Sequence, residues 1–267
     1  MTDRVLLEID GAIAIVTLNR PDKHNGLDLP MFHAIVNVAK SLRKRSDIRA
    51  VILRGEGPSF CAGLDVKAAF SSLPKFAKDF ATFGIKRRNI FQEVGLCWRE
   101  LPMPVIAAIH GACFGGGMQI ALGADFRIAA PDARLSIMEV KWGLIPDMSG
   151  TVTLRELMPI DQAKLLTMTG RTLSGTEALG YNLVTEVAEF PLATARALAE
   201  ELAGKSPDAL SLGKTLYQRN WLAGENAALK LERRYQFKLL NSRNQRIAVK
   251  ANTASQAPEF KPRQFEG

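Results

Sequence analysis

The chain has 267 residues, 47% of them hydrophobic and 23% charged, a balance that buries a full core and excludes a disordered polymer. Its formal net charge of +8 favours an anionic partner: nucleic acid, an acidic surface or a phosphorylated small molecule. No apolar run approaches the roughly 20 residues of a membrane helix. Met1-Thr2-Asp3-Arg4 leads straight into Val5-Leu6-Leu7 without the pattern of a signal peptide, so a cytoplasmic location and no membrane partner are expected.

In chain order, Arg4 to Ile9 and Ala12 to Asn19 are strand-like around an Asp10-Gly11 turn signal, which predicts a hairpin. Asn19-Arg20-Pro21-Asp22-Lys23 breaks into a loop. From Pro30 to Lys44 the residues Met31, Ile35, Val38, Ala39 and Leu42 recur at helical spacing. A short strand over Ala50 to Leu53 closes at Gly55 and Gly57-Pro58, and Ser71-Ser72-Leu73-Pro74 marks a break within a mixed helical stretch. Pro104 to Ile109 is a buried-strand run, after which Gly115-Gly116-Gly117 opens a helix over Met118 to Leu122. Phe126 to Ala129 and Arg134 to Met138 are further strands. Helical patterns follow at Gln162 to Met168, Thr176 to Leu179, Leu192 to Ala203, Pro207 to Tyr217 and Glu225 to Val249. The tail from Gln256 is expected to fray. Strands alternating with helices, then helices alone, give an α/β core over 1–200 and a helical region over 201–267.

Several chemistries lack their signatures. Cys61, Cys97 and Cys113 form no C-x-x-C pair and read as buried small hydrophobes. His24, His33 and His110 show no metal-ligand spacing, so no metal is expected. Gly213-Lys214-Thr215 ends like a phosphate-binding loop, but Asp208 stands where its first glycine belongs. Neither G-x-G-x-x-G nor G-x-S-x-G occurs.

Two glycine-bearing turns remain. Ser59-Phe60-Cys61-Ala62-Gly63-Leu64-Asp65 and His110-Gly111-Ala112-Cys113-Phe114-Gly115-Gly116-Gly117-Met118-Gln119 both run toward a helix. Backbone N–H groups at a helix start have no internal partner, and small residues let a ligand approach them. Two such turns converging would offer two donors to one developing oxyanion. Taken alone, either set of glycines would equally serve close packing of strand on helix.

With Val16-Thr17-Leu18-Asn19-Arg20-Pro21, Phe60 to Val66, Pro104 to Gln119 and Ile137 to Gly150 in this order, the chain resembles the crotonase (enoyl-CoA hydratase/isomerase) family over nearly its whole length. The resemblance implies a spiral of β-β-α units with a helical C-terminal region that builds trimers, often paired into hexamers. It implies an acyl-CoA substrate, with coenzyme A part of the substrate and no separate cofactor. By motif match the oxyanion donors would be the N–H groups of Ala62 and Gly116. Lys23, His24 and the segment Ala62, Gly63, Leu64, Asp65 and Val66 would hold coenzyme A, and residues 70–100 would line the acyl pocket. A solvated loop lysine serves equally well for Lys23.

The carboxylates depart from the hydratase pattern. Hydratases of the family carry a glutamate where Gln119 stands and a second one at the position of Glu139. An amide orients water but cannot exchange a proton at neutral pH, so isomerisation of an unsaturated acyl-CoA by Glu139 is the first expectation and hydration the second. Asp147 stands where dienoyl-CoA isomerases of the family carry an aspartate; a helix N-cap would explain it equally. Some proteins of this fold bind RNA, but the basic clusters, Lys86-Arg87-Arg88 among them, lack an aromatic stacking platform. Nucleic acid is not the expected partner.

Overall fold

The N-terminal hairpin forms as expected. β1 (Val5–Asp10) pairs antiparallel with β2 (Ile13–Leu18), and Gly11 carries the turn at φ +57°. The computed structural model describes residues 3–71, 74, 79 and 88–266. β3 (Ala50–Gly55), β4 (Val105–Ile109), β6 (Phe126–Ala129) and β9 (Glu186–Val187) extend the hairpin as parallel strands, in the order β1-β2-β3-β4-β6-β9. β5 (Ala112–Phe114), β7 (Arg134–Ser136) and β8 (Leu173–Ser174) form a second sheet in that order.

The helices are α1 (Leu29–Arg43), α2 (Val66–Ser71), α3 (Ile90–Leu96), α4 (Gly116–Leu122), α5 (Gly150–Leu154), α6 (Ile160–Thr169), α7 (Gly175–Gly180), α8 (Pro191–Ala203), α9 (Pro207–Asn220), α10 (Glu225–Leu240) and α11 (Arg243–Thr253). The chain steps from β4 in the large sheet to β5 in the small one and then into α4. It steps again from β6 to β7 and into a 3-10 turn over Glu139–Trp142. This is the β-β-α spiral, and it stacks the turns that follow successive strands at one place.

The continuous apolar run of β4 reflects burial on both faces. Val105, Ala107 and Ile109 join the main core, whereas Ile106 and Ala108 meet Ile13, Ile52 and Ile128 beneath Ala195 and Ala199 of α8. Residue 200 lies inside α8, which packs on this core, and residues 204–206 join it to α9.

Other expectations need correction. The helix predicted over Glu225 to Val249 is two helices, because the Ser242 side chain accepts from the Gln245 N–H at 3.0 Å and starts α11 afresh. The tail is anchored rather than frayed. Asp208 accepts from the N–H groups of Gln264 and Phe265, Asn244 brackets Lys261, and Arg49 donates to the Phe260 carbonyl. Residues 112–114, expected as part of a turn, form β5. Ser72 and Leu73 of the expected break lie outside the described residues.

Lys214, the remnant of the rejected phosphate loop, is buried against Asp125 at 2.7 Å and donates to the carbonyls of Trp98 and Met103. Burial holds its pKa below the ordinary lysine value, against the pull of Asp125. It staples α9 to the core.

Candidate active site

Asn25 organises one wall of the site. It is fully buried with φ +57°, and its Nδ2 donates to the carbonyls of Glu56, Ser59 and Phe60 at 2.8–3.2 Å. The loop so fixed runs alongside the first glycine turn. Ala62 N–H donates to His24 O at 2.8 Å, Leu27 N–H to Gly63 O at 2.8 Å, and Asp65 N–H to Leu27 O at 3.0 Å. Arg20 closes this ladder on Asp65 at 2.8 Å. Burial pushes the Asp65 carboxyl up, but the Ala68 N–H, Arg20 and Lys23 outweigh it and hold the pKa below the ordinary value. Lys23 and His24 are exposed beside residues 62–66, so every residue assigned to coenzyme A by resemblance gathers at one edge.

The two turns meet. Cys61 N–H donates to Ala112 O, and Phe114 N–H donates back to Cys61 O, both at 2.9 Å. Gly63 has φ +86°, and a Cβ there would lie 2.7 Å from the Phe114 carbonyl oxygen and 3.5 Å from the Gly116 nitrogen. Only glycine tolerates both that angle and that contact.

The ladder corrects one donor. The N–H of Ala62 is occupied by His24 and cannot serve an oxyanion. In the parallel bridge between Leu27 and Leu64, Leu27 takes the Gly63 carbonyl and the Asp65 N–H. Leu64's own N–H therefore faces the other way, and it meets no acceptor among the described residues. Gly116 opens α4, and its N–H likewise has no acceptor among them. The first donor stands on extended chain, since α2 begins only at Val66.

The opposite wall is built from side chains. Glu139 is only 8% exposed at the start of its 3-10 turn, and a Cβ on Gly115 would lie 3.6 Å from Glu139 Oε1. Gln119 Nε2 donates to that Oε1 at 2.5 Å, while Gln119 Oε1 accepts from Met148 N–H and Gly150 N–H, both at 2.9 Å. The Gln119 amide is engaged at both ends; it fixes the base and the 148–150 segment together. Glu139 Oε2 is buried with no partner among the described residues. Burial pushes the Glu139 pKa up, hydrogen bonds from its own N–H and from Gln119 oppose this, and the charge of Asp147 adds to the rise. Asp147 is half-buried, and its pKa is raised by that burial. It caps no helix: α5 begins at Gly150 behind Ser149, which lies at φ +77° and makes no capping bond.

Two open N–H groups beside a desolvated carboxylate polarise a carbonyl and move a proton at the adjacent carbon. Sequence reasoning missed Leu64 as a donor and Asn25 altogether. A donor's parity in a β-bridge is invisible without its partner strand. Lys86 and Arg87 lie outside the described residues, and Arg88 pairs with Glu93 and Glu100.

A sequence profile of the enoyl-CoA hydratase/isomerase family matches residues 8–263. The chain belongs to that family, within the crotonase superfamily. It is 32% identical to enoyl-CoA hydratase EchA19 of Mycobacterium tuberculosis, over 97% of this chain and 96% of that protein. It is 34% identical to the short-chain-enoyl-CoA hydratase of Clostridium acetobutylicum, over 86% and 87%. The crystal structure of an enoyl-CoA hydratase from Bacillus anthracis superposes with a TM-score of 0.89 at 28% identity, covering 97% of this chain and 99% of that one. The relatives' names support hydration above isomerisation, reversing the order expected from Gln119.

Proposed function

We propose that the protein hydrates a 2-trans-enoyl-CoA thioester to the 3-hydroxyacyl-CoA. Coenzyme A lies along Lys23, His24 and residues 62–66 and is part of the substrate; no further cofactor takes part. The thioester oxygen accepts from the N–H groups of Leu64 and Gly116. Glu139 takes a proton from water as the water oxygen bonds to the β-carbon, and the double-bond electrons move onto the thioester oxygen. The α-carbon then receives a proton from the carboxyl group of Asp147, so that one hydrogen and one hydroxyl are added in all; Glu139 gives its proton to solvent and Asp147 takes one back before the next turnover. Gln119 moves no proton; it holds Glu139.

The observation that carries this proposal is the buried Glu139 carboxyl, with one oxygen unpartnered, beside the turn that presents Gly116. Incubation with crotonyl-CoA tests it: loss of the 2-enoyl absorbance with formation of a 3-hydroxyacyl product is expected, and its absence at micromolar enzyme would reject hydration.

One observation favours a second reading. With Gln119 unable to exchange protons, a single enclosed carboxylate is what a one-base isomerisation of a 3-enoyl-CoA requires. Turnover of a 3-enoyl-CoA without hydration of crotonyl-CoA would select it. Self-association as a trimer or hexamer fits the exposed apolar residues Trp221, Phe237, Leu240 and Val249, and light scattering on the purified protein tests it.

A further inference from the structure

Beyond the segment that anchors the base lies a second cavity, of about 970 Å³, with an unusual wall. Asp147 and Ser149 line it, so it begins where the catalytic wall ends. Five arginines line it as well: Arg43, Arg88, Arg99, Arg155 and Arg219. Against them stand two carboxylates, Glu100 and Asp147.

The arginines fall into two groups. Arg99 is clasped by Glu156 at 2.5 and 2.9 Å; Arg88 pairs with Glu93 and Glu100, and Arg43 lies 3.9 Å from Glu100. Arg155 and Arg219 have no ion-pair partner among the described residues, and both are exposed. Ser149, also in the lining, is buried with its hydroxyl oxygen enclosed beside Gly95, so the two arginines alone face a polar occupant.

An unbranched alkyl chain would find apolar neighbours in Leu96, Ile145, Pro146 and Val152 but would leave two guanidinium groups unmatched. A carboxylate would satisfy them, because the planar guanidinium fork matches its two oxygens. Asp147, whose charge acts on Glu139, also lines the cavity, so it is the acyl end of a thioester held by residues 62–66 that would reach the arginines. Resting on the acyl-CoA function proposed above, we infer that the acyl group preferred by this enzyme ends in a carboxylate, bound by Arg155 and Arg219.

The test compares two six-carbon 2-enoyl-CoA esters, one ending in methyl and one in carboxylate. The wild-type enzyme is expected to favour the carboxylate in kcat/KM by about tenfold or more, the scale of one charge-assisted hydrogen bond. The preference should fall to about twofold or less in the double variant Arg155→Gln, Arg219→Gln, through KM rather than kcat, and should weaken with added salt. No preference in the wild type, or a preference that survives the double substitution, overturns the inference. A loss equal for both esters, with matching weaker inhibition by free coenzyme A, assigns the arginines to the coenzyme's phosphates and also overturns it. If neither ester is turned over, the hydratase function fails. Calorimetric binding of the saturated pair of thioesters then still reads the carboxylate preference.

Discussion

The two walls of the site are made of different material. The wall around Gly63 and Gly116 is backbone: its donors are main-chain N–H groups, and its shape is fixed by a ladder of main-chain bonds and by a glycine at φ +86°. The wall around Glu139 is side chain, with one amide, Gln119, tying the base to residues 148–150. A backbone wall tolerates almost any side chain that points outward but no added Cβ at its contact. A side-chain wall keeps its fold through substitution but loses its alignment. The first therefore sets whether a thioester is polarised at all, and the second tunes which proton moves.

Substitutions sharpen this contrast, beginning with the largest effect. Glu139→Gln should lower kcat by about a thousandfold or more while thioester binding survives, the scale of a lost general base. Steady-state kinetics with calorimetric binding checks both halves, and substantial residual activity would remove Glu139 from the mechanism. On the backbone wall, Gly63→Ala forces a Cβ to 2.7 Å from the Phe114 oxygen and should cost about a hundredfold or more by displacing the Leu64 and Gly116 donors. Unlike Glu139→Gln, it should weaken binding of the thioester as well. Asp147→Asn should cost about a hundredfold in kcat if its carboxyl supplies the second proton.

Gln119→Leu is the milder break, roughly tenfold in kcat, because the base stays in place but loses its tether. Its signature is the pH profile. Burial raises the Glu139 pKa and the Gln119 bond lowers it, so the wild-type acid limb should lie above the ordinary carboxylate range and move higher still in the variant. The smallest effect concerns stability. A carboxyl whose folded pKa is raised favours the native state only while protonated, and that contribution is lost as pH rises through the folded value. Glu139→Gln should accordingly melt higher than wild type above that pH and converge with it in acid. A variant less stable at every pH would contradict the burial of an ionisable group there.

Legibility in the sequence followed the same division. Glycine turns announce a backbone wall because few residues can replace glycine there, and the two turns do meet, although residues 112–114 of the second form β5. Which N–H was open was not visible: Ala62 and Leu64 differ only in which of them faces the His24 carbonyl or stands opposite Leu27 across a bridge. On the other wall Glu139 and Gln119 were identified through the resemblance. The amide's part in binding Met148 and Gly150 depends on a tertiary contact across 29 and 31 residues. Five of the six strands of the large sheet were readable from their apolar runs; the two-residue β9 was not. The break between α10 and α11 was not, because Asn241 and Ser242 interrupt an otherwise continuous helical pattern by a cap that forms only in place.

The end of the chain is clasped to the body by Asp208, Asn244 and Arg49, and Arg263 N–H reaches the Ser46 carbonyl at 3.0 Å. The terminus thus works as a clasp joining α1's far end to α9 and α11, and an affinity tag or truncation placed there acts on all three at once. Trimming at residue 256 should loosen amide-exchange protection along α9 and at Arg49, whose N–H donates to Ala12 O in the hairpin turn.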